Sequence, residues 1–98
     1  MANICENKLT VLSSDIKNIN YILKYFDNWK SANIAITEKD YAVIYFDSKW
    51  DFPSTEMNEM VKEIPNKEDI DITVLSVEEG EYYCAFHTYR GDTWEYQG

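Results

Sequence analysis

Glu56, Glu59 and Glu63 recur at intervals of three and four residues, the spacing that aligns side chains on one face of a helix. With a helical rise of about 1.5 Å per residue, the three carboxylates stand roughly 4.5 and 6 Å apart along the axis. Nucleic-acid phosphates lie about 3.4 Å apart along each strand and climb obliquely along a groove, so the two spacings are commensurate. Further acids follow at Glu68, Asp69 and Asp71, and again at Glu78, Glu79 and Glu81. A surface made of these groups can meet the lysine and arginine side chains of a protein groove built for nucleic acid. The competing reading is a solvated helix face with acidic loops that only keeps the domain soluble.

The charge distribution favours the first reading. The chain has 98 residues, 18 acidic and 9 basic, for a net charge of −9. Residues 1–49 hold six acids and six lysines, whereas residues 50–98 hold twelve acids against Lys62, Lys67 and Arg90, so the second half carries the whole net charge. Such a half repels itself, and a partner's cations relieve the repulsion. It also repels phosphate, which argues against direct binding to DNA or RNA.

Other groups with chemical potential are weaker candidates. Tyr82, Tyr83, Phe86, Tyr89, Trp94 and Tyr96 crowd the C-terminal hairpin. Aromatics on an open sheet face stack on bases in some RNA-binding domains, but here only Arg90 supplies a nearby cation. Tyr89 and Trp94 are better placed as anchors of a protein contact. His87 is the single histidine, and alternation sets it on the face of Tyr83, Ala85 and Tyr89, away from Phe86. Alone it defines no nucleophilic site. Asp69-x-Asp71 lacks the glycine and terminal glutamate of a calcium loop. Arg90-Gly91-Asp92 reads as a hairpin turn. No catalytic residue, metal or cofactor is expected.

The elements that position these groups follow from hydrophobic period. Residues 3–12 alternate as a strand with Cys5, Leu9 and Val11 on one face. Ser13-Ser14-Asp15 supplies a helix start, and Ile16, Ile19, Ile22, Leu23, Phe26 and Trp29 form one stripe of a helix over 15–30. Strands follow over 32–37 and 41–48, with Ala42, Ile44 and Phe46 on one face and Tyr41, Val43 and Tyr45 on the other. Pro53 breaks the chain, Ser54 or Thr55 caps a shorter helix that buries Met57, Met60, Val61 and Ile64, and Pro65 ends it. Strands over 70–78, 82–89 and 93–97 complete the chain, with turns at Glu79-Gly80 and Gly91-Asp92. The order β-α-β-β-α-β plus an extra C-terminal hairpin strand predicts a single α+β domain, a ferredoxin-like antiparallel sheet with two helices on one face.

A chain of this length and apolar content buries enough surface to fold without staples. Its longest apolar stretch, 41–46, is too short to span a bilayer. The N-terminus has no basic and apolar leader, so the host cytoplasm is the expected location. There Cys5 and Cys84 are expected as reduced, small core residues, with a disulfide between them the lesser alternative.

The opening Met1-Ala2-Asn3-Ile4-Cys5-Glu6-Asn7-Lys8-Leu9-Thr10-Val11 resembles the start of the YubB-like ferredoxin-like domain family, small plasmid and phage proteins whose members begin M-A-N-W-C-x-N-x-L-x-V. Later elements are similar too: Lys49-Trp50, Pro53, and Glu79-Gly80-Glu81-Tyr82 leading to Cys84-Ala85-Phe86. Ile4 stands where that family has tryptophan. The resemblance implies the same fold and a mobile-element origin, and it brings no catalytic residues. Together with the charge it points to a non-enzymatic, anti-CRISPR-like inhibitor that docks on the basic surface of a host nucleic-acid-binding defence protein. The alternative is a self-associating accessory module, a homodimer joined by a sheet edge or by the apolar face of the last hairpin.

Overall fold

The structure is a computed structural model that describes residues 4–49, 51–78, 80, 83–90 and 93–97. Its elements are β1 (Ile4–Leu12), α1 (Ile16–Phe26), β2 (Asn33–Thr37), β3 (Tyr41–Lys49), α2 (Ser54–Lys62), β4 (Asp71–Glu78), β5 (Tyr83–Arg90) and β6 (Thr93–Gln97). They make an α+β domain: one six-stranded sheet in the order β2-β3-β1-β4-β5-β6, every neighbouring pair antiparallel. Trp50 of the Lys49-Trp50 pair, Tyr82 of the hairpin aromatics, Asn3 of the first strand and the Gly91-Asp92 turn lie outside the described residues.

β1 lies between β3 and β4 inside the sheet, and it alternates cleanly: Cys5, Asn7, Leu9 and Val11 are buried, and the residues between them are exposed or half-buried. Ala42, Ile44 and Phe46 of β3 and Ile72 and Val74 of β4 share that face. Ile19, Ile22 and Phe26 of α1 and Met57, Met60 and Val61 of α2 join the same core. Each fully buried aliphatic side chain stabilises the fold by about 1.5–3 kcal/mol relative to an exposed one. Among the described residues the opposite sheet face carries no helix, and Tyr45, Leu75 and Phe86 are exposed on it.

The first helix is shorter than the stripe predicts. Asp15 is its N-cap, its carboxylate accepting the Lys17 amide at 3.0 Å, and the helix ends at Phe26. Trp29 keeps its place in the stripe from outside the helix, 4.9 Å from the Phe46 ring, with its indole N–H donated to the Asp47 carbonyl at 3.0 Å. In α2 the N-cap is Pro53, with no side-chain cap, in place of Ser54 or Thr55. A nine-residue helix without a side-chain cap has little stability of its own. α1 holds it: the Tyr21 hydroxyl donates to the Met60 carbonyl at 2.5 Å and the Tyr25 hydroxyl to the Glu56 carbonyl at 3.1 Å.

Two polar clusters inside the domain fix its register. Asn7 is 2% exposed; its amide N–H groups donate to the Phe46 carbonyl at 3.2 Å and to Ser48 Oγ at 3.0 Å, while Oδ1 accepts Ser76 Oγ at 2.6 Å. These bonds join β1, β3 and β4. Asn18, fully buried on α1, donates to the carbonyls of Asn66 at 2.8 Å and Asp69 at 3.0 Å and accepts the Asn66 amide at 2.9 Å.

Candidate functional site

Glu56, Glu59 and Glu63 are exposed along α2 and at its C-cap, on the flank that faces α1. The side chains of Tyr21 and Tyr25 run beside them. Burial, and then the neighbouring carboxylates, raise both phenol pKa values: Glu63 acts on Tyr21, and Glu56 and Glu59 act on Tyr25. Lys62 pairs with Glu59 at 3.4 Å, both side chains about two-thirds exposed, a contact that screening makes nearly neutral energetically. The helix layer therefore presents a row of carboxylates rimmed by two phenols. The phenols were missed in the sequence because their period marks them only as the flank of a helix stripe; their hydroxyl bonds to α2 appear only when the two helices meet.

Asp69, Asp71 and Glu78 do not extend this row. Glu68 is exposed in the loop after α2. Asp69 is half-buried and committed to the fold: its carboxylate accepts the Ser14 amide and hydroxyl, and its carbonyl accepts Ser13 Oγ and the Asn18 amide. Asp71 lies on the opposite sheet face, paired with Arg90 at 3.1 Å. Glu78 is 3% exposed, with its carboxylate accepting the Gly80 amide at 2.7 Å, so it is no contact residue. It points to the core face because β4 alternates and Ile72, Val74 and Ser76 are on that side. Glu79 and Glu81 lie outside the described residues. Among the described residues the acidic surface expected from sequence is thus a row on α2, with Glu68 exposed in the loop that follows.

The aromatic anchors are corrected in the same way. Tyr89 is 2% exposed and belongs to the core. Trp94 is half-buried, 5.3 Å from Tyr89 and 5.3 Å from Phe52. Its indole nitrogen is buried without a hydrogen-bond partner. His87 stacks on Phe52 with ring centroids 3.6 Å apart and planes within 10°. Its Nδ1 is likewise unpartnered, and burial lowers its pKa, an effect that the Asp51 carboxylate opposes. Tyr83, His87, Tyr89, Trp94 and Tyr96 all register onto the helix side of the sheet, and Phe86 alone among the described hairpin aromatics is on the open side. The geometry of a base-stacking open face is therefore not present in this hairpin.

Cys5 is buried and Cys84 exposed, on opposite sheet faces, and both are free thiols. The expectation of two core cysteines holds for Cys5 alone. Burial raises the Cys5 pKa, which keeps it a thiol. Two open clefts hold about 410 Å³ between Trp29, Asp51, Phe52 and Glu56, and about 400 Å³ between Ser13, Asp40, Asp69 and Arg90. Among the described residues no group of three or more His, Cys, Asp or Glu side chains could hold a metal ion, and no helix is long and apolar enough to cross a membrane. The chain matches no protein-family model, no curated protein and no solved structure.

Proposed function

We propose that this chain is a non-enzymatic inhibitor from a phage or other mobile element, which docks its α2 carboxylates on the basic surface of a host nucleic-acid-binding defence protein, in the manner of an anti-CRISPR protein. The observation that carries the reading is the exposed row Glu56, Glu59 and Glu63 on the α1-facing flank of α2, rimmed by Tyr21 and Tyr25, with Glu59 paired to Lys62. Carboxylates supply charge complementarity, and the phenols supply flat, partly apolar area beside it. Two phenols already fixed to α2 by hydrogen bonds lose little freedom on binding. A ferredoxin-like identity for the fold is part of this proposal. It draws on the order β2-β3-β1-β4 within the sheet, to which β5 and β6 are added beyond β4.

The test is a tagged pull-down from host lysate, washed at low and at high salt, with the wild type beside the triple variant Glu56→Lys/Glu59→Lys/Glu63→Lys. Three reversed charges are expected to weaken binding by on the order of 2–4 kcal/mol, or about 30- to 1,000-fold in Kd. A nucleic-acid-handling protein held by the wild type at low salt, shed at high salt and lost by the variant is the expected result. Recovery of the bait alone, or equal retention by the variant, overturns the proposal.

A further inference from the structure

The sheet face turned away from the helices carries Ile36, Tyr45, Leu75 and Phe86, each between 37% and 45% exposed. Tyr45, Lys8, Leu75 and Phe86 form one row across four strands, and Asp47, Glu6, Val77 and Cys84 form the next row. Glu6 and Asp47 are directly opposed, a like-charge pair that destabilises the free sheet. Among the described residues no ion pair joins Lys8 to either carboxylate.

The face is also close to neutral. Its strands place Lys8, Lys49 and Arg90 against Glu6, Asp47, Asp71 and Glu95, in a chain whose net charge is −9. Two copies that approach by this face keep their acidic helix layers on the far sides, where mutual repulsion is weakest. Its size suffices. Six strands of five to nine residues, about 4.8 Å apart and rising about 3.3 Å per residue, cover roughly 700 Å², close to the ~800 Å² per partner of a stable interface. The sheet edges are poorer sites for a second copy, since β2 carries a register shift and β6 has five residues.

We propose that this bare face is the interface of a homodimer, with the two sheets packed face to face about a two-fold axis that crosses the strands between those two rows. That axis sets each Lys8 over the partner copy's Glu6 and beside its Asp47, each Tyr45 over Asp47, each Leu75 over Val77 and each Phe86 over Cys84. Each like-charge pair then gains a lysine from the second copy, and the contact is isologous. Glu6, Lys8, Tyr45, Leu75 and Val77 line a shallow cavity of about 180 Å³ that leaves room for side chains of the second copy. The inference stands apart from the acidic-row proposal, because the helix layers stay free in the dimer.

Light scattering on the purified full chain over a concentration series tests it. The expected mass is twice 11.6 kDa for the wild type, with at least about tenfold weaker association in Leu75→Glu and in Lys8→Glu. Association is expected to return in Lys8→Glu/Glu6→Lys/Asp47→Lys, which exchanges the two sides of the ion cluster. Lys8 is exposed, so Lys8→Glu decides the matter if Leu75→Glu disturbs folding by circular dichroism. A wild type with the monomer mass throughout overturns the proposal. So does a dimer that both single variants leave intact, which would place the contact at an edge or on the helix layer.

Discussion

Replacing Asn18 by alanine is expected to remove about 2–4 kcal/mol of folding stability. The side chain is fully buried, and one amide serves three backbone groups that hold the loop between α2 and β4 against the start of α1. Without it the Asn66 amide loses its side-chain acceptor, at about 1–3 kcal/mol for a group taken from water. The bonds to the Asn66 and Asp69 carbonyls add about 0.5–1.5 kcal/mol each. These carbonyls keep other donors, the Asp69 amide at 3.3 Å and Ser13 Oγ at 2.5 Å, so the lower figure applies to them. A domain stability of about 5–15 kcal/mol would fall by a substantial fraction. Urea unfolding reads it as a lower midpoint with an unchanged slope.

Asn18→Asp sharpens the test. Its second carboxyl oxygen would face the oxygens of Asn66, Asp69 and Ser13, where the amide now donates. Burial among acceptors raises that carboxyl's pKa above its unfolded value near 3.9. The sign follows: the variant keeps its stability below the unfolded pKa and loses it as pH rises through the raised folded value. Asn18→Asp should therefore be weakest near neutral pH and recover in acid. An Asn18→Ala midpoint within about 1 kcal/mol of the wild type, or an Asn18→Asp protein that is as stable as wild type at neutral pH, refutes the reasoning.

Phe52→Ala is expected to cost about 3–5 kcal/mol by thermal or urea unfolding, because its ring fills the space between His87 and Trp94 and is 8% exposed. The wild type should lose stability as pH falls through the unfolded histidine pKa near 6.5, since burial depresses the folded value for His87; a melting-temperature profile of His87→Gln should be flatter over that range, and an equally steep one would exclude His87 as the cause. A thiol reagent should modify one cysteine per native chain, Cys84, and two in denaturant, with peptide mapping to assign them. Tyr25→Phe should cost about 0.5–1.5 kcal/mol through its bond to the Glu56 carbonyl, and no loss at all would remove the hydroxyl from the account of how α2 is held.

Element order and core faces were legible in the sequence because they are local and periodic. Residues two apart in a strand share a face, so Cys5, Leu9 and Val11 declared the buried side of β1, and Ala42, Ile44 and Phe46 that of β3. Met57, Met60 and Val61 did so for α2 at helical spacing. The same rule places Glu78 inside, in phase with Ile72 and Val74, although its charge alone points to the surface. The early end of α1 was hidden because Trp29 stays in phase with the stripe after the helix stops.

What the sequence determined alone was the net charge of −9, its confinement to the second half, and the alignment of Glu56, Glu59 and Glu63, all properties of composition and short-range spacing. Tertiary structure alone decided the rest. It buried Glu78 and Tyr89, spent Asp69 on the Ser13-Ser14 segment, and sent Asp71 to the far face beside Arg90. It brought Tyr21 and Tyr25 against α2, and it set Lys8 one row from Asp47. The reason is that a side chain's neighbours across strands and between helices are separated by tens of residues along the chain. Only the register of the sheet and the seating of the helices, fixed by burial of the whole core at once, can bring them together.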